Sequence, residues 1–276
     1  MGIDIGSVTS KALILDRSGT ILAFAMTPTT YDREGCGRKI LEMAFQQTGK
    51  SKEEVEYIVS TGYGRNSLSF TNKAVSEIIC HAEGTKVLFP DIRTIIDIGG
   101  QDSKIIELDE EGRIRKFEMN DKCAAGTGRF LEVLSERILN VDIRELGPLS
   151  LKSKNPCTLS SVCTVFAESE VISYLSANKG REDIAYGLNR AIAKRIISMG
   201  RAAQIRYQKP ICLTGGVAKN VGVVKAIEEE LGGKVLVPEQ PQITASLGAA
   251  LLAKREWLLN KRRTKNGSYC RENSEN

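Results

Sequence analysis

Long apolar runs are missing from this sequence, and no stretch approaches the length that a membrane-spanning helix requires. A basic segment followed by an apolar one is also absent at the start, so we expect a cytoplasmic protein. The seven cysteines are odd in number and irregularly spaced. This spacing argues against the disulfide framework of a secreted protein.

Neither sign of charge predominates in the sequence, since the net charge of its 276 residues is only +5. Much of it lies near the C-terminus, so no nucleic-acid partner is indicated.

The single histidine, His81, lies four residues after Glu77 and could share a helix face with it. One such pair does not predict a metal site, because structural sites usually take four ligands. The chain is long enough for two domains.

An internal repeat organises the first half of the chain. Residues 3–26 match residues 96–119 without a gap, with twelve of 24 positions identical. Chance would give roughly one or two identities at typical residue frequencies. Each copy is predicted to form a strand, a glycine turn, a strand, a second turn at Gly19 or Gly112, and a strand. The repeat therefore indicates two similar α/β domains.

The first turn of each copy has the chemistry of a metal-phosphate site. Asp4 and Asp97 end the first strands, where a carboxylate can hold Mg²⁺ through water. The following glycines let N–H groups point at phosphate oxygens. Hydroxyl donors and a neutralising cation follow, namely Ser7, Thr9, Ser10 and Lys11, with Lys104 in the second copy. A hairpin without a ligand is the alternative, and the repetition favours the phosphate site.

A third glycine site follows a buried-strand run at 211–214. Gly215 and Gly216 precede a predicted helix that carries Val224, Ile227 and Leu231 on one face. Bare glycines allow the close approach of a flat ligand such as adenine. An ordinary turn between a strand and a helix would have the same sequence.

Two cysteines share an unusual context. Cys123 follows a strand-like run and precedes a predicted helix whose first turns carry Gly126 and Gly128. Cys163 directly precedes another predicted helix. Helix N-termini carry partial positive charge, which favours thiolate over thiol. Both thiols are therefore candidate ligands of a soft metal centre, and the alternative is that they are small buried hydrophobes.

The remaining pattern predicts helices at 38–48, 73–88, 129–139, 164–177, 182–206 and 246–259. The longest has a core stripe of Ile184, Leu188, Ile192 and Ile196. We place the first domain at 1–93, with helix 246–259 packing back on it, and the second at 94–245. Residues 260–276 are predicted to be a disordered polar tail.

The glycine motifs, in this order, resemble those of the superfamily of sugar kinases, actin and the large heat-shock ATPases. Residues 120–132 and 163–170 resemble the hallmarks of the activators of 2-hydroxyacyl-CoA dehydratases, which are ATPases of the BadF/BadG/BcrA/BcrD type. Residues 61–65 and 76–82 also look like motifs of that family. The resemblance covers about residues 2–255. It implies an actin-like, sugar-kinase-like ATPase fold with two duplicated ribonuclease-H-like domains that close over ATP.

The resemblance also implies a homodimer with one 4Fe-4S cluster between the subunits, held by Cys123 and Cys163 of each chain. A reduced ferredoxin or flavodoxin would load this cluster, and ATP hydrolysis would drive one electron to the dehydratase. By the same resemblance, Asp4 and Asp97 position Mg²⁺, and Gln101 orients the attacking water. The phosphate contacts would be Gly6, Ser7, Val8, Thr9, Ser10, Lys11, Gly99 and Gly100, and the adenosine would border Gly215, Gly216 and Gln242.

Several alternatives remain open at this point. ATPase subunits of benzoyl-CoA reductases are similar, and the acyl-CoA substrate would lie on the partner. A small-molecule kinase of the same fold would explain the glycine sites but not the paired cysteines, and a nucleotide-binding regulator would explain neither. Cys157 is outside the family pattern and is expected to be inert. Residues that precede the first strand in the family do not appear before Met1, so the native chain could start further upstream.

Overall fold

The computed structural model of this chain describes residues 1–159 and 163–272, with side chains described as far as residue 263. In chain order the strands are β1 (Gly2–Ile5), β2 (Thr9–Leu15), β3 (Ile21–Pro28), β4 (Val59–Thr61), β5 (Lys73–Ala74), β6 (Thr94–Ile98), β7 (Ser103–Leu108), β8 (Ile114–Asn120) and β9 (Ile211–Thr214). The helices are α1 (Arg33–Thr48), α2 (Glu77–Leu88), α3 (Gly128–Glu132), α4 (Ile143–Ser150), α5 (Thr164–Ser176), α6 (Arg181–Ala202), α7 (Val221–Leu231) and α8 (Thr244–Glu272).

The chain divides into two compact units. Unit 1 comprises Met1–Gly84 and the segment from Ile243 onward, and unit 2 comprises Thr85–Gln242. The sequence placed these boundaries after residues 93 and 245. Within the described residues, no helix combines the length and the apolar character needed to cross a bilayer.

Unit 1 is built on a sheet of order β3-β2-β1-β4-β5. β1 pairs antiparallel with β2 and parallel with β4, so it lies at the centre of the sheet. Ile3 and Ile5 on β1 pack with Ile40 of α1 in one core cluster. α8 contributes Ala249 and Leu252 to a second cluster of the same unit. The central strand is therefore buried along its whole length, as its apolar sequence requires.

Unit 2 is built on a sheet of order β8-β7-β6-β9, with β6 antiparallel to β7 and parallel to β9. The predicted stripe on α6 is fully buried, since its four apolar side chains are inaccessible to solvent: Ile184, Leu188, Ile192 and Ile196. They pack with Ile96 and Ile98 of β6 and with Phe130 of α3 in one cluster.

The repeated hairpins are confirmed down to their irregularities. β1-β2-β3 and β6-β7-β8 are both antiparallel meanders. The register shifts between Ile14 and Leu15 in the first and between Glu107 and Leu108 in the second, at positions that match in the repeat. A bulge kept at matching positions is a feature of the fold and not a local defect.

Several helix boundaries differ from the predictions. α1 begins at Arg33 and not at residue 38, α6 ends at Ala202 and not at residue 206, and α3 ends at Glu132, where Val133–Leu139 continues as a π-helix. The helix predicted over 73–88 begins at Glu77, because residues 73–74 pair with β4 as a short parallel strand. α4 was not predicted, since Gly147 and Pro148 interrupt its pattern. α8 does not end at Leu259 but continues to Glu272, into the segment predicted to be a disordered tail. Lysine and arginine at 261–263 are good helix formers and extend it.

Candidate functional site

The first glycine turn (residues 6–8) joins β1 to β2 in unit 1. Asp4 lies in β1, and its carboxylate accepts a hydrogen bond from the Lys11 ammonium at 3.1 Å. A Cβ on Gly6 would lie 2.8 Å from the Thr9 carbonyl oxygen and 3.2 Å from Lys11 Nζ. The bare glycine therefore leaves room for the lysine head directly above the turn.

The other predicted phosphate ligands of unit 1 are not equally placed. Ser7 and Thr9 are half-buried, and Val8 is 40% exposed. Ser10 is fully buried, and its hydroxyl shares a hydrogen bond of 2.8 Å with the Thr29 hydroxyl. The turn therefore presents Ser7 and Thr9 at its surface, whereas Ser10 supports it from below.

The second glycine turn (residues 99–102) joins β6 to β7 in unit 2 and carries one more charge. Lys104 Nζ donates to Asp97 Oδ2 at 3.2 Å and to Asp102 Oδ2 at 2.6 Å. The Lys104 side chain is only 2% exposed, and Asp97 also accepts a hydrogen bond of 2.9 Å from the Thr214 hydroxyl. Burial of a charge is tolerated only with partners of this kind. Gln101 is exposed at the tip of the turn.

Asp102 and Thr214 were not among the predicted site residues. The repeat aligns Asp102 with Thr9, so the sequence contained the signal as a change from a hydroxyl to a carboxylate. Thr214 precedes Gly215 in the predicted adenine turn, but its contact with Asp97 depends on the parallel pairing of β6 and β9. The sequence alone does not show that pairing.

The third glycine site lies at the end of β9. Gly215 has a φ of +86°, and its N–H donates to the Pro241 carbonyl at 2.9 Å. A Cβ on Gly216 would lie 3.4 Å from the side-chain nitrogen of Gln242. The structure thus brings together the three residues predicted to border adenosine. Burial raises the pKa of the neighbouring Cys212 thiol to about 12, so this thiol stays protonated.

The second glycine turn is tied to the start of α3. The Gly128 N–H donates to the Gly99 carbonyl at 2.9 Å, and the Arg129 N–H donates to the Gly100 carbonyl at 2.8 Å. A Cβ on Gly128 would lie 3.1 Å from the same Gly99 oxygen. Gly128 therefore allows the helix start to sit directly against the turn.

The thiol loop (residues 121–127) connects β8 to α3 and contains Cys123. The Asn120 side chain accepts from the Cys123 N–H at 3.2 Å and donates to the carbonyls of Cys123 and Ala125 at 2.8 and 3.1 Å. The prediction that Cys123 lies at a helix start is wrong. α3 begins at Gly128 with Thr127 as N-cap, because the Asn120 bonds and the positive φ of Gly126 hold the preceding residues in a turn.

Cys163, in contrast, is the N-cap residue of α5 as predicted. Residues 160–162 of the preceding motif lie outside the described residues. Beyond Cys163, α5 exposes large apolar side chains: Val165 at 67%, Phe166 at 62% and Ile172 at 49%. Its N-terminus presents free N–H groups and partial positive charge beside this thiol.

Accessibility separates two cysteines from the others whose side chains are described. Cys123 and Cys163 are half-exposed, whereas four are buried: Cys36, Cys80, Cys157 and Cys212. Burial, with a smaller contribution from Asp183, raises the pKa of Cys157. A buried thiol with a raised pKa is a poor nucleophile and metal ligand. Among the residues that the structure describes, no group of three or more His, Cys, Asp or Glu side chains is arranged to hold a metal ion.

Curated relatives align with nearly the whole chain. The 2-hydroxyisocaproyl-CoA dehydratase activator of Clostridioides difficile is 46% identical over 266 residues, which cover 96% of this chain and 98% of the relative. The (R)-2-hydroxyglutaryl-CoA dehydratase activating ATPase of Acidaminococcus fermentans is 44% identical and covers 92% and 96%, respectively.

Solved structures confirm the predicted actin-like and sugar-kinase-like α/β fold. The activator of the 2-hydroxyisocaproyl-CoA dehydratase from Clostridium difficile, solved with bound ADPNP, superimposes with a TM-score of 0.89 at 45% identity and covers 95% of this chain and 96% of that one. A glucokinase of the ROK family from Streptomyces griseus gives a TM-score of 0.56 at 16% identity, covering 92% and 98%. That likeness shows the fold alone.

The match to a protein family spans both units and all three glycine sites. It extends over residues 1–253, which include the thiol loop and Cys163. The chain therefore belongs to the BadF/BadG/BcrA/BcrD ATPase family.

Proposed function

We propose that this ATPase activates a 2-hydroxyacyl-CoA dehydratase by delivering single electrons from a 4Fe-4S cluster shared by two copies of the chain. The observation that carries the proposal is the accessibility of Cys123 and Cys163 among cysteines that are otherwise buried in the described residues. Relatives that span nearly the full chain are activators of two different dehydratases, which supports the partner class. We expect the protein to act in the cytoplasm.

The donor set suits such a cluster. A 4Fe-4S cluster takes four cysteine thiolates, so two accessible cysteines per chain require two chains related by an isologous interface. The cluster would supply one-electron transfer, and the chain would hold it with Cys123 and Cys163. The exposed side chains of Val165, Phe166 and Ile172 next to Cys163 support a second copy as the neighbour, because burial of such a patch stabilises a dimer.

The nucleotide contacts follow from the glycine turns, taken one unit at a time. In unit 1, Lys11 and the donors of Ser7 and Thr9 would bind phosphate oxygens, and Asp4 would position Mg²⁺. In unit 2, Asp97 would position Mg²⁺ beside the second glycine turn. The Gly100 N–H would donate to phosphate there, whereas the Gly99 N–H already donates to the Asp102 carbonyl at 2.9 Å. These assignments are supported by the carboxylates at the two strand ends and by the lysine that pairs with each of them.

Two further groups of unit 2 complete the assignment. The exposed amide of Gln101 would orient the water that attacks the terminal phosphate. Gly215, Gly216 and Gln242 would border the adenosine. Their support is the approach of the Gln242 side chain to the bare Gly216 backbone.

Coupling of ATP to the thiols would use the backbone of unit 2. A phosphate bound at the second glycine turn would shift the peptide units of Gly99 and Gly100. The carbonyls of these two residues accept hydrogen bonds from the N–H groups of Gly128 and Arg129 at the start of α3. The thiol loop ends where α3 begins. A displacement of the turn would therefore reach Cys123 through a few peptide units, which gives the two nucleotide states different contacts near the thiol.

The decisive test is the iron content of anaerobically purified cysteine variants. We expect about four irons per dimer in the wild-type protein. Cys123→Ser and Cys163→Ser should each lose the iron and the ability to activate a dehydratase with reduced ferredoxin or flavodoxin as the electron donor, while ATP still binds. Cys157→Ser is the matched control and should keep both iron and activation, since its thiol is buried. Iron loss in Cys157→Ser with iron retained in Cys163→Ser would show that the ligand assignment is wrong.

A further inference from the structure

The two units share a parallel strand pairing that involves a strand outside the repeated segments 3–26 and 96–119. β4 and β9 lie parallel to the first strands of the two meanders, and each ends in a threonine followed by a glycine with a φ of +86°. In register, Asp4 lies opposite Thr61, and Asp97 lies opposite Thr214. Residues directly opposite on neighbouring strands project to the same face, so the two threonines hold equivalent positions.

The hydroxyls of these threonines differ in their partners. Thr214 donates to Asp97 Oδ1 at 2.9 Å. Thr61 is fully buried, and its Oγ1 makes no hydrogen bond to a nitrogen or oxygen atom in the described part of the chain. It lies beside the Cys80 thiol, which burial keeps protonated by raising its pKa to about 12. Leaving a buried hydroxyl without a strong partner is costly, and a hydrogen bond to a nearby carboxylate would recover part of that cost.

The lysines that face the two aspartates also differ. Lys104 is held by two carboxylates and is 2% exposed. Lys11 has Asp4 as its one ion-pair partner among the described side chains, is 12% exposed in its own side chain, and carries its ammonium over Gly6 in the first glycine turn. Lys11 is thus the lysine that can exchange its partner for a phosphate with little rearrangement of the chain.

We propose that Thr61 is a positioning residue for ATP binding, which replaces Lys11 as the partner of Asp4 when Lys11 moves to a nucleotide phosphate. The Thr61 hydroxyl reaches Asp4 by rotating about its side-chain bond between staggered positions. The resulting contact is the one that Thr214 already makes with Asp97. This inference rests on the assignment of Lys11 as a phosphate ligand.

The chemistry of Asp4 explains why such a replacement matters. Its side chain is only 9% exposed, so departure of Lys11 would leave this buried carboxylate without a direct cation contact, since Mg²⁺ at this position would be held through water. A hydroxyl that donates to the carboxylate offsets part of that cost. Thr61 therefore contributes to nucleotide affinity without touching the nucleotide.

The test compares Thr61→Val with Thr214→Val in the full-length protein. Valine keeps the branched shape of threonine and replaces the hydroxyl with a methyl group. Melting temperatures are measured without nucleotide, and affinity for a nonhydrolysable ATP analogue with Mg²⁺ is measured by calorimetry. We expect Thr61→Val to melt at or above the wild-type temperature and to bind the analogue about tenfold more weakly. Thr214→Val should melt lower, because it breaks a bond that already exists.

Two further variants separate this inference from the function on which it rests. Thr61→Ser retains the hydroxyl and should bind like the wild type. Lys11→Met should weaken binding by itself. Weak binding by Lys11→Met with normal binding by Thr61→Val would overturn the role of Thr61 alone. Normal binding by both would overturn the phosphate assignment of Lys11 as well, and a Thr61→Val protein that melts as low as Thr214→Val would show that Thr61 is already bonded to Asp4.

Discussion

In unit 1 the lysine beside the glycine turn faces one carboxylate, whereas in unit 2 the equivalent lysine lies between two. The difference comes from one position of the repeat, where unit 1 has Thr9 and unit 2 has Asp102. The added carboxylate fixes Lys104 in place, and its absence leaves Lys11 with a single partner. A duplicated scaffold has thus acquired one lysine suited to exchange and one suited to holding its neighbours.

Replacement of the two lysines should give the largest difference in stability between the units. Lys104→Met removes the ammonium that joins the Asp97 and Asp102 carboxylates, so we expect the free energy of unfolding to fall by about 3–5 kcal/mol in urea denaturation. Lys11→Met leaves a single carboxylate and should cost less stability. Asp102→Thr, which introduces the residue of unit 1, should recover part of the loss when combined with Lys104→Met. Equal losses for Lys11→Met and Lys104→Met would contradict the difference between the units.

The two units are alike in the glycine that follows β4 and β9. Gly62 and Gly215 share a φ of +86°, and a Cβ on either would meet the neighbouring carbonyl and an aspartate side chain. We expect Gly62→Ala and Gly215→Ala each to lower the free energy of unfolding by about 1–3 kcal/mol or more.

Matched controls for these glycines exist in both units. Gly49 and Gly232 also have positive φ, but a Cβ on them would meet nothing within 4 Å. Gly49→Ala and Gly232→Ala therefore report only the strain of the left-handed helical region, whereas Gly215 has a ψ of 178° and lies in a region that is essentially restricted to glycine. Thermal unfolding should show larger losses for the site glycines than for these controls, and losses of the same size would mean that neither the close contacts nor the backbone region of Gly215 adds to the strain.

The second turns of the two hairpins should give the smallest effect. Hydrogen bonds from the Ser18 hydroxyl and from turn N–H groups hold the pKa of Asp16 below its usual 3.8, and the Arg113 N–H does the same for Asp109. A depressed folded-state pKa stabilises the fold above the unfolded pKa, and this contribution is lost as the pH falls through the folded pKa. Asp16→Asn and Asp109→Asn should therefore lower the melting temperature slightly at neutral pH, with the difference from wild type shrinking below about pH 4. A difference that grows in acid would contradict this sign.

The repeat, the meanders and the glycine turns could be predicted from the sequence because their signals are local. Alternating apolar residues, Gly19 and Gly112 fix each hairpin within a short stretch of chain. The pairing of Asp4 with Thr61 could not be predicted in this way, since β1 and β4 are far apart in sequence. The contact of Asp97 with Thr214 spans an even longer separation.

The positions of the thiols could be predicted from the sequence only in part. The sequence predicted both cysteines as candidate ligands, and it placed Cys163 correctly at the start of α5. It misplaced Cys123 relative to α3, because a side chain, Asn120, and the positive φ of Gly126 delay the helix. Neither effect appears in a pattern of apolar residues. The burial of Cys157 likewise depends on how its segment packs against α6, which periodicity does not report.

Hydrogen bonds from Gly128 and Arg129 to the second glycine turn join the two ends of the segment that begins at Gly99. The covalent chain and these backbone hydrogen bonds together form a closed ring. β7 and β8 form its two sides, and the turn at Gly112 lies at the far end from the closure. Changes of length are therefore not equivalent around this ring. Extra residues at the exposed tip near Glu111 leave the closure intact, whereas extra residues in the thiol loop separate α3 from Gly99 and Gly100. The hairpin should therefore tolerate added residues at the Gly112 end and not at the end that carries the thiol loop.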